Sequence, residues 1–253
     1  MLIAPKIAIR LQRRSSANTL TRRMVQFVLL AALAAIPAIA ADNNLVKSSR
    51  APHDVTLETD LASDFWLSAP RVFAERDSYG KAVPGYRTEI RSRWTKNNLY
   101  LLFICPYEEL YLKPSPDTVN ETNKLWDWDV AEAFIGSDFQ NIKRYREFEL
   151  SPQGEWIDLD INLEKPHHED GWTWNSGFQV SARIDQAAHI WYGAMRIPLA
   201  AIDRRPAAPG NTLRVNFFRS QGPPPNRKEV TWQPPMTDTF HTPERFGLLK
   251  LVK

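Results

Sequence analysis

An apolar–polar alternation of period two, broken by turn chemistry about every ten residues, constrains this chain most. Arg87–Trp94 (RTEIRSRW) alternates, and Asn98–Cys105 (NLYLLFIC) is an apolar run of strand length. Asp129–Gly136, Tyr145–Ser151 and Glu155–Asn162 follow, then Gly177–Ile184, Ile190–Ile197, Leu213–Arg219, Glu229–Trp232 and Phe246–Val252. Turn formers separate them, among them Lys96-Asn97-Asn98, Pro152-Gln153-Gly154, Pro209-Gly210-Asn211 and Gly222–Asn226. Successive side chains of a strand point to opposite faces, whereas a helix repeats every 3.6 residues. No long amphipathic helix is visible, and Pro198–Asp203 allows a single helical turn. Many short strands at this spacing predict an all-β fold, an antiparallel β-sandwich of jelly-roll or immunoglobulin-like two-sheet form with minimal helix. No low-complexity linker or repeat divides the chain. One domain over residues 52–253 is expected, with residues 41–51 as a mobile lead-in.

The first forty residues have a different character. They carry Lys6, Arg10, Arg13, Arg14, Arg22 and Arg23 and no acid, then an uncharged run from Val25 to Ala40 ending in Ala38-Ile39-Ala40. A basic segment, a short apolar segment and a small-x-small site form the pattern of a cleaved signal peptide. Export to the periplasm or the extracellular space is the expectation, with Thr21-Arg22-Arg23 leaving the twin-arginine route open beside the general one. With those six cations gone, 26 basic residues face 29 acids and the net charge is −3. That balance lacks the electrostatic footprint of a nucleic-acid binder. No membrane insertion is expected after cleavage. The single cysteine, Cys105, lies inside an apolar strand and reads as a buried small hydrophobe.

Parity assigns faces. Ala131, Ala133 and Ile135 share one side of their strand, Phe148 and Leu150 one side of the next, and Ile157, Leu159 and Ile161 one side of the third. If these apolar sets share the core face, the opposite face carries Glu132, Glu147, Glu149, Trp156, Asp158 and Asp160. Such a face is either a solvated outer sheet surface or a ligand surface. Carboxylates accept hydrogen bonds from hydroxyls, and flat rings stack on the apolar side of a sugar. Trp126 and Trp128 flank its edge in NETNKLWDWDVAEAFIG.

Arg91–Trp94 followed by Asn98–Leu101 resembles the first hairpin of family 9 carbohydrate-binding modules. Leu125–Phe134 (LWDWDVAEAF) resembles that family's W-x-x-D-x-x-E-x-F segment. Arg214–Arg219, Thr231-Trp232 and Phe240–Gly247 (FHTPERFG) resemble its C-terminal run. The resemblance spans residues 52–253. It implies a β-sandwich shared with DOMON-type domains and binding of a sugar chain, with two aromatic side chains sandwiching a ring. On that resemblance the first aromatic is Trp126, the carboxylate is Glu132, the second aromatic is Phe240, and Asn216 is a polar strand position near the site. Glu149 stands where sugar-binding members carry arginine, a reversal of charge. Trp156 is a further candidate platform.

The resemblance implies a non-catalytic domain with a carbohydrate partner, accessory to a glycoside hydrolase. Two other classes remain open. A glycoside hydrolase needs two spaced carboxylates, for which Glu132 and Glu149 are candidates. A haem-binding electron-transfer domain needs axial Met or His, for which Met195, Met236, His53, His189 and His241 are available without a CxxCH motif. No cofactor is expected beyond a possible structural calcium, for which Asp127 and Asp129 offer carboxylates. His167-His168-Glu169-Asp170 lies between Pro166 and Gly171 and reads as a solvated loop.

Overall fold

The computed structural model describes residues 44–253. Among them are twelve strands: β1 (Leu45–Arg50), β2 (Arg71–Ala74), β3 (Thr88–Trp94), β4 (Asn98–Pro106), β5 (Val130–Gly136), β6 (Arg144–Leu150), β7 (Trp156–Asn162), β8 (Gln179–Asp185), β9 (Ile190–Pro198), β10 (Thr212–Gln221), β11 (Lys228–Thr231) and β12 (Gly247–Val252). Helix is confined to single turns at Asp64–Leu67 and Leu199–Ile202 and to three short 3₁₀ segments. The strands form one hydrogen-bonded path, β7-β6-β5-β10-β12-β1-β3-β4-β9-β8, with β11 on β10 and β2 on β3. Pairing is antiparallel except where β1 joins β12 and β3. This is the sandwich that the period-two pattern predicts, with its two halves bridged by β1.

The halves close on each other through their inward faces. Ala131, Ala133 and Ile135 of β5, Phe148 and Leu150 of β6, and Val215 and Phe217 of β10 meet Leu99, Leu101, Phe103 and Cys105 of β4 and Trp191, Met195 and Ile197 of β9. Phe103 and Phe217 pack edge to face with centroids 5.8 Å apart. The small alanines of β5 leave room for these rings. Gly193 of β9 marks a close approach between the halves, since a Cβ there would lie 2.6 Å from Leu150. The outer side of the β4–β9 half is covered by chain N-terminal to β2, with Trp66 packed on Tyr100, Leu102 and Ala194.

Two expectations are corrected. Leu45–Arg50 is not a lead-in outside the domain. It is β1, and Val46 and Ser48 are buried between β12 and β3. The parity of β7 is also reversed. Leu150 pairs with Trp156, Phe148 with Asp158, and Glu149 with Ile157. The five intervening residues form a hairpin closed by the Ser151 N–H donating to the Glu155 carbonyl at 2.9 Å, with Gly154 at φ +89°. An odd loop puts Trp156 and Asp158 on the inner face and Ile157, Leu159 and Ile161 on the outer one.

Candidate functional site

The outer face of β7-β6-β5-β10 is built in cross-strand rows. Phe218, Glu132, Glu149 and Ile157 lie opposite one another in sequence across the four strands. Asn216, Phe134, Glu147 and Leu159 form the next row. Side chains directly opposite are close enough to touch, so a short file of carboxylates runs between aromatic and aliphatic neighbours. Loops rise around this floor and enclose a cavity of about 490 Å³. Its wall includes Trp126, Phe240 and His241, with Glu132, Glu147 and Phe134 at its base.

Each wall segment is held by specific bonds. Trp126 sits in the 3₁₀ turn Leu125–Asp127, anchored by buried Leu125. Arg227 donates to the carbonyls of Trp126 (2.9 Å), Gly222 (3.2 Å) and Trp128. Asp129 accepts from the N–H groups of Gly222 (2.6 Å) and Tyr111 (3.0 Å) and from Gln221 Nε2 (2.7 Å). Trp128 stacks on Tyr111 at 4.6 Å. The segment that carries Phe240 is tied down by Asn216, whose Nδ2 donates to the Gln233 carbonyl at 2.8 Å while its Oδ1 accepts the Gln233 N–H at 3.0 Å. Phe240 then lies flat on Phe218, with centroids 4.3 Å apart and planes 8° apart. His241 stacks on Phe134, and its Nδ1 is 2.6 Å from the Tyr145 hydroxyl.

The electrostatics of the floor are unusual. Glu132, Glu147 and Glu149 are 2%, 4% and 0% exposed. Each presents an oxygen within 4.8 Å of those of the other two. Glu132 Oε1, Glu147 Oε2 and both oxygens of Glu149 receive no hydrogen bond from any residue outside the cluster, and Glu147 and Glu149 are close enough to share a proton. Among the described residues, no lysine or arginine forms an ion pair with any of the three. Burial raises all three carboxyls, because charge is poorly solvated there. For Glu132 the charge of Glu147 adds to the rise, and for Glu149 those of Glu132 and Glu147 do. Glu147 is pushed up to about 7. His241 is held neutral, pushed down to about 3 by burial and by nearby His168.

Trp126 and Glu132, from one stretch of chain, and the distant Phe240 therefore line one cavity. Glu149 lies just behind its wall, against Glu132 and Glu147. Asn216 is on the correct face, but its amide is consumed in holding the loop. Trp156 is on the other face, packed in the inter-sheet core against Phe178. Asp129 does not suit calcium, since both its oxygens face N–H donors, and Asp127 is exposed on the turn. The haem candidates share no cavity: Met195 is enclosed between the sheets, whereas His241 is on the outer face. Several lining residues lay outside the sequence-derived site, among them Lys124, Glu147, His168, Glu169, Ser220 and Arg227. Glu147 was legible from its parity with Glu149. His168 and Glu169 reach the cavity from a loop read as solvated, and no pattern in that loop signals it.

The family model described as carbohydrate family 9 binding domain-like matches residues 62–253. An extracellular protein of Arthroderma benhamiae is 25% identical over 191 residues, covering 69% of this chain and 85% of that one. A family 9 module from Caldicellulosiruptor kristjanssonii in complex with cellotriose superposes with a TM-score of 0.59 at 13% identity, over 82% of this chain and 93% of its own. The same comparison with a module from that organism in complex with glucose gives 0.56 at 13% identity, over 81% and 95%. A crystal structure from Bacteroides uniformis reaches 0.65 at 14% identity, over 82% and 99%. At such identities the solved structures share the fold, and the family match carries membership. Because that match runs over every strand from β2 to β12, the chain belongs to the carbohydrate family 9 binding domain-like family and is a carbohydrate-binding domain.

Proposed function

We propose that the outer-face cavity is the saccharide site and that the protein acts after export as an accessory to polysaccharide or oligosaccharide breakdown. One observation carries this reading: Trp126 and Glu132, six residues apart, and Phe240, more than a hundred residues further on, line a single cavity. Its volume falls in the range of small-molecule sites, about 300–1,000 Å³. The rings of Trp126 and Phe240 offer the apolar faces on which a sugar stacks. Glu132 and Glu147 offer acceptors for its hydroxyls. The bound cellotriose and glucose of the similar modules support a saccharide as ligand. The basic, then apolar leader and the extracellular relative support export. The leader itself, residues 1–40, lies outside the described residues.

Calorimetric titration with mono- and oligosaccharides tests the site. Trp126→Ala is expected to weaken binding at least about fivefold, since loss of one stacking platform removes about 1–3 kcal/mol by analogy with base stacking on aromatic side chains. Unchanged affinity in that variant places the sugar elsewhere.

A further inference from the structure

We propose that this cavity selects a cationic saccharide, an amino sugar whose ammonium seats between Glu132 and Glu147 with Glu149 behind them. The inference rests on the saccharide reading and specifies its ligand class. Its basis is the mismatch between what the floor offers and what a neutral sugar needs. Sugar hydroxyls both donate and accept, so a neutral-sugar site presents donors as well as acceptors. Here the floor itself presents carboxyls alone, and the donors that line the cavity, among them Lys124, Ser220 and Thr239, stand apart from that cluster. Four carboxylate oxygens of the three glutamates receive no hydrogen bond from any residue outside the cluster, and Glu149, with two of them, is fully enclosed. The guanidinium of Arg227, which lines the cavity and partly offsets the rise at Glu132, donates to three backbone carbonyls and forms no ion pair with the glutamates.

The geometry suits an ammonium. Its three N–H groups donate and none accepts. A nitrogen about 2.8 Å from one oxygen each of Glu132 and Glu147 is compatible with the charge-assisted bond length and with oxygens no more than 4.8 Å apart, while Glu149 lies behind them outside the cavity lining. Calcium suits the floor less well. It takes about 6–8 oxygen ligands, including carbonyls and waters, whereas the rows beside these glutamates supply Phe218, Ile157, Phe134 and Leu159. The other acids near the rim already have partners: Glu229 accepts from Ser78 Oγ at 2.6 Å and Asp238 from Tyr79 at 2.5 Å. The unpartnered acceptors are thus concentrated at the base, beneath the position of a stacked ring.

The test compares three trimers of β-1,4-linked glucose type: cellotriose, tri-N-acetylglucosamine and triglucosamine, titrated near neutral pH, where Glu147, pushed up to about 7, can pass its proton to the amine. Triglucosamine is expected to bind at least tenfold more tightly than either neutral trimer. Glu132→Gln and Glu147→Gln, which keep side-chain shape and replace the two cavity-lining carboxyls by groups that cannot ionise, are expected to reduce that preference to threefold or less, with folding checked by thermal melting. Equal or tighter binding of cellotriose overturns the inference and leaves the saccharide reading intact. No binding of any trimer overturns both. A preference that survives in both variants overturns the assignment to this floor. Calcium-dependent binding of cellotriose, abolished by Glu149→Gln, overturns the ammonium in favour of a metal.

Discussion

At the scale of single residues, Glu149 is the side chain most at odds with its surroundings. Its unfolded-state carboxyl titrates near 4.5, and in the fold burial and the charges of Glu132 and Glu147 raise it. Between those two values the unfolded chain has released its proton while the native state retains it. Stability therefore falls as pH rises from about 4.5 through the folded value. Glutamine mimics the protonated form. Thermal melting of Glu149→Gln is expected to match wild type near pH 4.5 and to exceed it increasingly up to pH 8, by several degrees, because each 1 kcal/mol is worth about 2–4 °C in a domain of this size. His241 acts in the opposite sense, losing stability as pH falls from 6.5 towards about 3, and cancels because both proteins carry it. A constant difference across that range contradicts the buried, unpaired state of Glu149. The carboxylate file was visible in the sequence as alternate positions in two strands. Its burial was not, since that depends on loops folding over the face.

At the scale of elements, the loop bearing Trp126 is held from behind. Asp129 accepts three N–H donors that come from Tyr111, Gln221 and Gly222, and so joins β5 to the β10–β11 turn. Asp129→Ala leaves those donors without a partner and is expected to cost about 3–5 kcal/mol, the scale for breaking a buried charged network. Saccharide affinity is expected to fall with it, although Asp129 is not among the residues lining the cavity. Guanidinium chloride unfolding and titration at a temperature where the variant remains folded measure the two effects. Unchanged stability contradicts the clasp. The same element shows how far pattern reading extends. Trp126 and Glu132 were legible because a loop aromatic and a strand carboxylate sit at a recognisable spacing. Asp129 beside them is only a candidate calcium ligand on sequence, since residue type alone does not distinguish a carboxylate facing N–H groups from one facing a cation. β7 was misassigned for a related reason. Leu159 and Asp158 are both buried, so burial does not name the core side, and the five-residue hairpin decides the register.

At the scale of the whole molecule, the sandwich depends on β1 to connect its halves. Leu45–Ser49 pairs with β12, and Ser49-Arg50 pairs with β3, so removal of six residues leaves two inner strands with unpaired edges. A chain beginning at residue 52 is expected to melt on the order of 5–10 °C below one beginning at residue 41. Equal melting temperatures contradict a structural role for β1. The overall architecture was legible because period-two alternation and regularly spaced turns admit few alternatives. The domain edge was not, because LVKSSR is short, carries two cations and pairs only with strands far away in sequence. The central claim, that sugar binds over the carboxylate floor of the β7-β6-β5-β10 face, is tested most directly by a crystal structure of the protein with a bound oligosaccharide. The account predicts a sugar ring in contact with Trp126 and Phe240, with a polar substituent within hydrogen-bond distance of Glu132 or Glu147. A ring seated elsewhere, for example in the separate cavity lined by Tyr79 and Tyr86, would contradict it.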